Sequence, residues 1–280
     1  MKFGYFCNTT NWTHKPYHQL LDETKEITEY CDKNKWNSIW FTEHHFNHEG
    51  MESCTNPLML GADAAARTNN IRIGQAANVI TFHNPIRLAE DIATLDQLSK
   101  GRVEVGVARG VYGREAINLN KEADLKDQAK NFRLFAETLE ILKKAWSEKF
   151  FNHDGEFYTY PSPNYVWQHD MSPPSEEFMN MEDSTMKKIS VLPKPYQNPH
   201  PPIHQVVDGI RSIEWAAENN INVIMWIPTV KALKIRFEAY KNKRSEVTKK
   251  NVPLGEGVTL VRDMFVADTM EEAKEMAGEH

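Results

Sequence analysis

Cysteine is scarce in this sequence of 280 residues, basic charge is not in excess, and long apolar runs are missing. The three cysteines, Cys7, Cys31 and Cys54, are odd in number and lack metal-ligand spacing, so we expect reduced thiols in a cytoplasmic protein. The formal net charge of −6 argues against a nucleic-acid partner, which requires a basic surface. No apolar run approaches the roughly 20 residues that span a bilayer, and we expect no membrane partner.

A signal peptide and a dinucleotide-binding fingerprint are also missing. The N-terminus enters a predicted strand at once, so we expect no secretory signal. After that strand the chain reads Cys7-Asn8-Thr9-Thr10, without the glycines that bind a pyrophosphate, and this disfavours a Rossmann fold. We predict no metal ligands.

Strand-like and helix-like segments alternate along the chain. Strands are predicted at 2–6, 38–44, 71–80, 103–107, 203–207, 223–227 and 257–267. Helices are predicted at 17–34, 57–68, 85–101, 127–148, 212–219 and 230–241, and Asp268 with Glu271 resembles a capping box that opens a last helix. Such alternation indicates parallel strands with right-handed crossovers. Seven strands are one short of a (β/α)8 barrel, and the chain ends in a predicted helix. We therefore expect an α/β, TIM-type barrel over residues 1–280 that lacks its last βα unit.

A proline-rich stretch interrupts this alternation at about 150–202. It contains nine of the fourteen prolines and no long periodic run. We expect an insertion in a single domain, either a functional excursion or a partly disordered one. Its part 161–188, with Trp167, Met171 and Phe178, is predicted to shape a substrate pocket or a partner contact.

Ionisable side chains gather where the second predicted strand ends, in Phe41-Thr42-Glu43-His44-His45-Phe46. Strand ends carry the chemistry of α/β folds, and histidine is the side chain best suited to move protons near neutral pH. Side chains alternate along a strand, so His44 is predicted to face away from Glu43 and His45, but the sequence does not fix which set faces inward. The alternatives to catalysis are a metal site or a plain polar strand end.

Two later segments are candidates for binding phosphate. Arg109 and Gly110 follow the fourth strand, where a guanidinium can bind two phosphate oxygens; the alternative is a salt bridge. Gly209 and Ser212 lie at a helix start, whose free amides favour phosphate, although an ordinary cap is the alternative. Because the carboxylate of Asp208 would repel phosphate, we expect Asp208 to orient Arg109 or to cap the helix instead.

Small residues and one tryptophan suggest room for a flat ligand. Ala76 and Ala77 interrupt an otherwise bulky strand, and the alternative is layered packing of small and large side chains. Trp226 lies at the end of the sixth strand, where its indole can pack against a planar ring or belong to the core.

Taken together, these motifs resemble the bacterial luciferase-like flavin monooxygenase family, from Met1 to about Ala273. The matching segments are Lys2-Phe3-Gly4, Trp40 with Glu43-His44-His45-Phe46, Asn56-Pro57, His83-Asn84-Pro85-Ile86-Arg87, Leu95-Asp96 with Ser99-Lys100-Gly101-Arg102, Arg109-Gly110-Val111-Tyr112 and Glu214-Trp215-Ala216-Ala217. Each match is weak alone, and their order and spacing make the resemblance specific.

The resemblance implies a (β/α)8 barrel that binds reduced FMN and uses O2 to oxidise a small organic substrate. It implies that His44 is catalytic and that Ala76 and Ala77 form a cis peptide under the flavin ring. It also implies a phosphate site, built from Arg109, the backbone of Val111, Asp208, Gly209 and Ser212. The partners expected on this basis are a separate flavin reductase and a second subunit in a homo- or heterodimer.

Two departures and two rival functions accompany the resemblance. Ala108 stands where the luminous luciferases carry a reactive cysteine, which argues against light emission. The family's eighth strand and mobile lid would lie beyond His280. One rival is hydride transfer to or from a deazaflavin (F420) on the same barrel, and the other is a non-catalytic flavin-binding subunit.

Overall fold

The computed structural model describes residues 1–226 and 229–278, and the chain divides into two compact units, Met1–Val206 and Val207–His280. The strands of the first unit are β1 (Gly4–Cys7), β2 (Ser38–Phe41), β3 (Arg72–Gln75), β4 (Asn78–Val79), β5 (Val103–Ala108), β6 (His153–Asp154), β7 (Thr159–Tyr160) and β8 (Ile203–Val206). Its helices are α1 (Tyr17–Lys33), α2 (Pro57–Arg67), α3 (Pro85–Ser99), α4 (Gly113–Leu119) and α5 (Gln128–Ser147), with 3-10 turns at Ile80–Phe82 and Lys121–Ala123.

A parallel sheet in the order β1-β2-β3-β5-β8 forms the centre of the first unit, and β4 also pairs with β5. Its register aligns Phe6 with Trp40, Trp40 with Gly74, and Gly74 with Glu104. Alternate residues such as Ile39, Ile73 and Val105 are fully buried, as expected for the sheet face that helices cover. The α/β class with mostly parallel strands is therefore confirmed.

The opposite face of the sheet carries Trp40 and a polar cluster. Trp40 lies directly over Gly74, where an added Cβ would come within 2.1 Å of the indole ring. The edge of the indole meets the ring of His204 at 5.1 Å between centroids. Glu104 binds Nε2 of His204 at 2.8 Å and also pairs with Arg72.

Capping residues set the helix bounds close to those predicted. Asn84 accepts hydrogen bonds from the amides of Ile86 and Arg87, and Pro85 follows at the first helical position. Helix α3 ends at left-handed Lys100, followed by Gly101 at a φ of 84°. Helix α4 was not predicted, because its seven residues show no long apolar stripe.

Two predicted strands of the first unit differ from the structure. The strand predicted at 38–44 ends at Phe41. The strand predicted at 71–80 is divided into β3 and β4, because the chain leaves the β3–β5 ladder at Ala76 and Ala77 and then rejoins β5 higher up.

The stretch 150–202 contains one short hairpin, β6 with β7, and isolated bridges such as that between Val166 and Thr185. It has no helix. Its assignment as an insertion stays a prediction.

The second unit contains α6 (Ile210–Glu218), β9 (Asn222–Met225), α7 (Val230–Thr248), β10 (Val258–Leu260) and α8 (Met270–Ala277), with β9 and β10 parallel. The strand predicted at 257–267 is wrong beyond Leu260, and α7 extends past the predicted end at 241. The capping box is formed by Thr269 and Glu272, one residue later than predicted. Ile227, in the strand predicted at 223–227, lies outside the described residues.

Across residues 1–226 and 229–278, no helix is long and apolar enough to cross a membrane. Cys7, Cys31 and Cys54 are free and buried. Burial raises the pKa of the Cys54 thiol to about 12.

Candidate active site

The candidate site of the first unit lies at the carboxyl ends of β2 and β5. After Phe41 the chain leaves the sheet, and the amide of His44 donates to the carbonyl of Cys54 at 2.8 Å. Glu43 and His45 contact each other, whereas the ring of His44 contacts a different set of side chains. The predicted separation of His44 from its two neighbours is therefore confirmed, although the strand itself ends earlier.

Glu43 is a buried carboxylate that connects three segments. Its Oε1 lies 3.0 Å from Nε2 of His45 and 2.8 Å from Nε2 of His83, and its Oε2 accepts the amide of Val79 at 2.6 Å. Burial opposes the charge of Glu43, but these hydrogen bonds and the charge of His83 outweigh it and lower its pKa. Burial likewise opposes the charge of His83, but its bond to Glu43 prevails and raises its pKa. Glu43 is thus a charged residue that ties the end of β2 to β4.

His44 lies between two other carboxylates. Its Nε2 is 3.4 Å from Oε1 of Glu52, and its Nδ1 is 3.4 Å from Oε1 of Glu115. The side chain of Glu115 is fully buried, whereas those of His44 and Glu52 are each 14% exposed. An imidazole with a carboxylate oxygen beside each ring nitrogen is an arrangement that suits acid–base chemistry.

The ring of Tyr112 packs beside the ring of His44. Its ring lies 5.3 Å from that of His44, measured between centroids. Burial and then the hydrogen bond to Glu52 raise the pKa of Tyr112 to about 12. Its hydroxyl therefore stays protonated beside Glu52.

Arg109 follows β5 and has an uncompensated charge within its unit. Among the described residues of Met1–Val206, no carboxylate lies within 4 Å of its guanidinium, which stacks over Phe132 at 5.8 Å. Burial lowers the pKa of Arg109. The salt bridge considered as an alternative from the sequence is therefore not formed within this unit. A half-buried, unpaired cation favours an anionic ligand.

The turn after Arg109 supplies a backbone donor. Gly110 has a φ of +89°, and an added Cβ would lie 2.9 Å from Cζ of Phe82. Within the described part of the chain, the amide of the exposed Val111 donates to no acceptor. Thr81 and Asn131 both donate to the carbonyl of Arg109 at 3.2 Å and hold the turn in place.

Ala76 and Ala77 lie between β3 and β4, and the bond between them is cis, as the resemblance implied. Ala77 is buried. The amide of Ala76 donates to the carbonyl of Phe41 at 2.7 Å, so the end of β2 and the divided strand are in direct contact.

Comparison with known proteins decides the family. The family described as luciferase-like monooxygenase matches residues 1–280. The chain belongs to the luciferase-like monooxygenase family.

Two relatives of this luciferase-like chain illustrate the range of the family. It is 27% identical over 266 residues to the oxygenase component of flavin-dependent trigonelline monooxygenase from Acinetobacter baylyi, covering 93% of this chain and 63% of that protein. It is 31% identical over 225 residues to an alkanal monooxygenase beta chain from Photorhabdus laumondii, covering 80% of this chain and 59% of that one. The chain thus spans about three fifths of the length of these relatives.

A solved structure shares the fold of this luciferase-like chain. The oxygenating constituent of 3,6-diketocamphane monooxygenase from Pseudomonas putida, a type II Baeyer–Villiger monooxygenase in complex with FMN, has a TM-score of 0.80 at 23% identity. The similarity covers 99% of this chain and 71% of that one. At this identity the similarity concerns the fold.

The remaining predicted site residues of the luciferase-like chain lie in the second unit. Gly209 caps α6 without a side-chain hydrogen bond, and an added Cβ would meet nothing within 4 Å. Asp208 is exposed and does not cap the helix, so that alternative is wrong; its carbonyl accepts from Nε of Arg236 at 2.7 Å. Ser212 lies in the first turn of α6, and Trp226 directly follows β9 and is 46% exposed. A phosphate site shared by these residues and Arg109 stays a prediction.

Four residues that contact Glu43 or His44 were not identified as site residues from the sequence. They are Glu52, His83, Tyr112 and Glu115. His83 and Tyr112 stand in family motifs, which is a usable signal. Glu115 lies on the unpredicted helix α4, and it reaches the amide of His45 across 70 residues of sequence.

Proposed function

We propose that this chain is the oxygenase component of a two-component, FMN-dependent monooxygenase that oxidises a small organic substrate with O2. The observation that carries the proposal is the position of His44, between Glu52 and Glu115 at the carboxyl end of β2, in a chain of this family. Of the two rivals, a non-catalytic subunit would have no need for an imidazole held by two carboxylates.

The side chains present fit FMN. The guanidinium of Arg109 has no carboxylate partner among the described residues of its unit, and the amide of Val111 donates to no acceptor in the described part of the chain, so both suit a phosphate. The start of α6 at Gly209 and Ser212 has no side-chain cap and suits one too. Ala76, Ala77 and Trp226 are proposed to contact the flavin ring, and Asp208 to orient the phosphate site. When bound, reduced FMN supplies the electrons that activate O2.

His44 is proposed to move the proton that the oxidation requires. Its Nε2 faces Glu52, which is partly exposed, whereas Nδ1 faces the fully buried Glu115. Nε2 is therefore the nitrogen on the side from which a substrate can approach. His45 is the weaker candidate, because its Nε2 is bound to the buried carboxylate of Glu43.

Aerobic turnover with chemically reduced FMN tests the proposal. We expect incorporation of one atom of 18O from 18O2 into a product from a panel of medium-chain aldehydes, ketones and N-methylpyridinium acids. The panel follows the substrates after which the relatives described above are named. Turnover with reduced deazaflavin under nitrogen, without consumption of oxygen, would instead favour hydride transfer. Binding of FMN without turnover on any substrate would favour a non-catalytic subunit.

Architecture and partners complete the proposal. We propose that residues 1–280 belong to one (β/α)8 barrel domain with an insertion at about 150–202, which the match over the whole chain supports. A separate reductase is proposed to deliver reduced FMN, since the relative from Acinetobacter baylyi is named as an oxygenase component. A homo- or heterodimer is proposed because another relative is the beta chain of its enzyme.

A further inference from the structure

The ring of His44 has a different environment at each nitrogen. On the Nδ1 side lies Glu115, whose side chain is fully buried, at 3.4 Å. On the Nε2 side lies Glu52, 14% exposed, also at 3.4 Å. Both separations exceed an ordinary hydrogen bond, as is common for catalytic contacts before substrate binds.

Glu115 is held in place by a second, independent contact. Its Oε1, the same oxygen that faces His44, accepts the amide of His45 at 2.6 Å. Glu115 therefore contacts both the ring of His44 and the backbone one residue later. Buried Nδ1 has no hydrogen-bond partner among the described residues, and Oε1 of Glu115 lies 3.4 Å from it.

Glu52 has a different partner. It lies beside Tyr112, whose pKa is raised to about 12 by burial and then by this carboxylate. Glu52 is also near Nε2 of His44 and is 14% exposed. Glu52 therefore constrains the ring less than Glu115 does.

We propose that Glu115 is the positioning residue of His44: it keeps a proton on Nδ1 and leaves Nε2 as the nitrogen that exchanges protons. The tautomer of a histidine is set by the hydrogen bond of its other nitrogen, and a carboxylate oxygen beside Nδ1 can accept a proton-bearing N–H there. Only the use of that proton in oxidation depends on the proposed function; the tautomer does not.

Nitrogen-15 NMR of the chain labelled at histidine measures the tautomer directly at one fixed pH. The chain has eleven histidines, and His44→Gln assigns the signals of His44 by their loss. We expect wild-type His44 to carry a proton on Nδ1, and Glu115→Gln to shift the neutral ring toward the Nε2-protonated form. Gln retains an oxygen that can accept the amide of His45, so the backbone contact can persist. The matched control Glu122→Gln, an exposed residue just after α4, should leave the His44 signals unchanged.

Two results would overturn the inference. One is a wild-type His44 that carries its proton on Nε2 alone, which decides the matter even if Glu115→Gln does not fold. The other is the same tautomer in wild type and in a folded Glu115→Gln, with folding checked by the melting temperature and the backbone amide signal of His45.

Turnover separates this inference from the proposed function. If His44 acts as proposed, Glu115→Gln should lower kcat about tenfold to a hundredfold while the Kd for reduced FMN stays within about threefold. If Glu115→Gln changes the tautomer of His44 but the wild-type chain never turns over, the role of Glu115 is retained and the monooxygenase is rejected. An unchanged tautomer rejects the role of Glu115 whatever the turnover.

Discussion

Two charges near the strand ends, buried Glu43 and half-buried Arg109, differ in how they are compensated. Glu43 receives hydrogen bonds from His45, His83 and the amide of Val79, so its own unit neutralises it. The guanidinium of Arg109 has no carboxylate partner among the described residues of its unit and only the face of Phe132 beside it. A charge removed from water without a partner costs free energy. An anion bound at Arg109 would supply the opposite charge that its own unit lacks there.

Arg109→Ala should therefore weaken the binding of reduced FMN. Loss of a charge-assisted contact of this kind costs about 1.5–3 kcal/mol, or roughly ten- to a hundredfold in Kd. Anaerobic titration followed by flavin fluorescence measures it. Arg87→Ala, at an exposed arginine on α3 that pairs with Glu90, is the control and should leave the Kd unchanged. An unchanged Kd for Arg109→Ala would remove Arg109 from the phosphate site.

The pair of Glu43 and His83 should make stability depend on pH. Folding lowers the pKa of Glu43, so its contribution is present above about pH 4.5 and is lost as the pH falls through the folded value. Folding raises the pKa of His83, so its contribution is complete below about pH 6.5 and is lost as the pH rises through the folded value. The pair should therefore stabilise the protein most between these two values.

His83→Gln tests this dependence, because Gln can still donate to Glu43 but carries no charge. We expect the variant to lose up to about 1 kcal/mol of unfolding free energy at pH 5.5, since solvent screens the partly exposed His83, and less at pH 8.5. Urea denaturation at both pH values provides the measurement. His48→Gln, at a strongly exposed histidine, should lose nothing at either pH. A loss that grows with pH would show that the sign of the His83 shift is wrong.

The positions of His44 and Arg109 at strand ends could be predicted from the sequence, but the side chains around them could not. His44 ends one predicted strand and Arg109 stands shortly after another, in segments whose order matches a family. Glu52 reaches His44 from a loop, and Glu115 does so from α4. Neither contact leaves a periodic pattern in the sequence, because a side-chain contact across many residues depends on how the chain folds back.

At the scale of elements, Trp40 and Gly74 determine how β2 and β3 pack. They are paired in the register, and the indole occupies the space where a side chain on β3 would stand. Trp40 Nε1 also donates to Ser38 at 2.9 Å, which fixes the ring along its own strand. A larger residue at position 74 would have to displace a ring that is held at both ends, since its edge also meets His204.

Gly74→Ala should consequently destabilise the protein by about 1–3 kcal/mol, as expected for overpacking of a filled core. Chemical denaturation gives the free energy of unfolding. Gly113→Ala is the matched control, because an added Cβ there meets nothing within 4 Å and α4 begins at that residue. Equal stability of the two variants would contradict the packing described here.

The starts of the predicted helices were better placed than the ends of the strands, because helix starts have local causes. Asn84 and Asp127 accept hydrogen bonds from helix amides within their own turns, and such caps are visible in the sequence. Strand ends depend on pairing with a distant segment instead. Apolar residues continue past Gln75 and recur past Leu260, but β3 leaves its ladder at Ala76 and β10 pairs with β9 over three residues only.

At the scale of the whole molecule, the family match covers all 280 residues, and the chain spans 59–63% of the two relatives described above. The alternation of strands and helices was enough to predict an α/β fold with parallel strands. The family came from motif order rather than from alternation, because many unrelated functions use such folds. The substrate and the partners depend on surfaces that neither alternation nor motif order specifies.

His44 is proposed to perform the proton transfer of a flavin-dependent oxidation. The most direct test compares His44→Ala, His45→Ala and His48→Ala for kcat and for the Kd of reduced FMN, with the best substrate of the panel. A residue that acts in the transition state lowers turnover without weakening cofactor binding, and general acid–base groups contribute about 10²–10⁴-fold in rate. We predict a loss of that size for His44→Ala with a nearly unchanged Kd, and native turnover for His48→Ala. Near-native turnover of His44→Ala, with the loss in His45→Ala instead, would contradict the account.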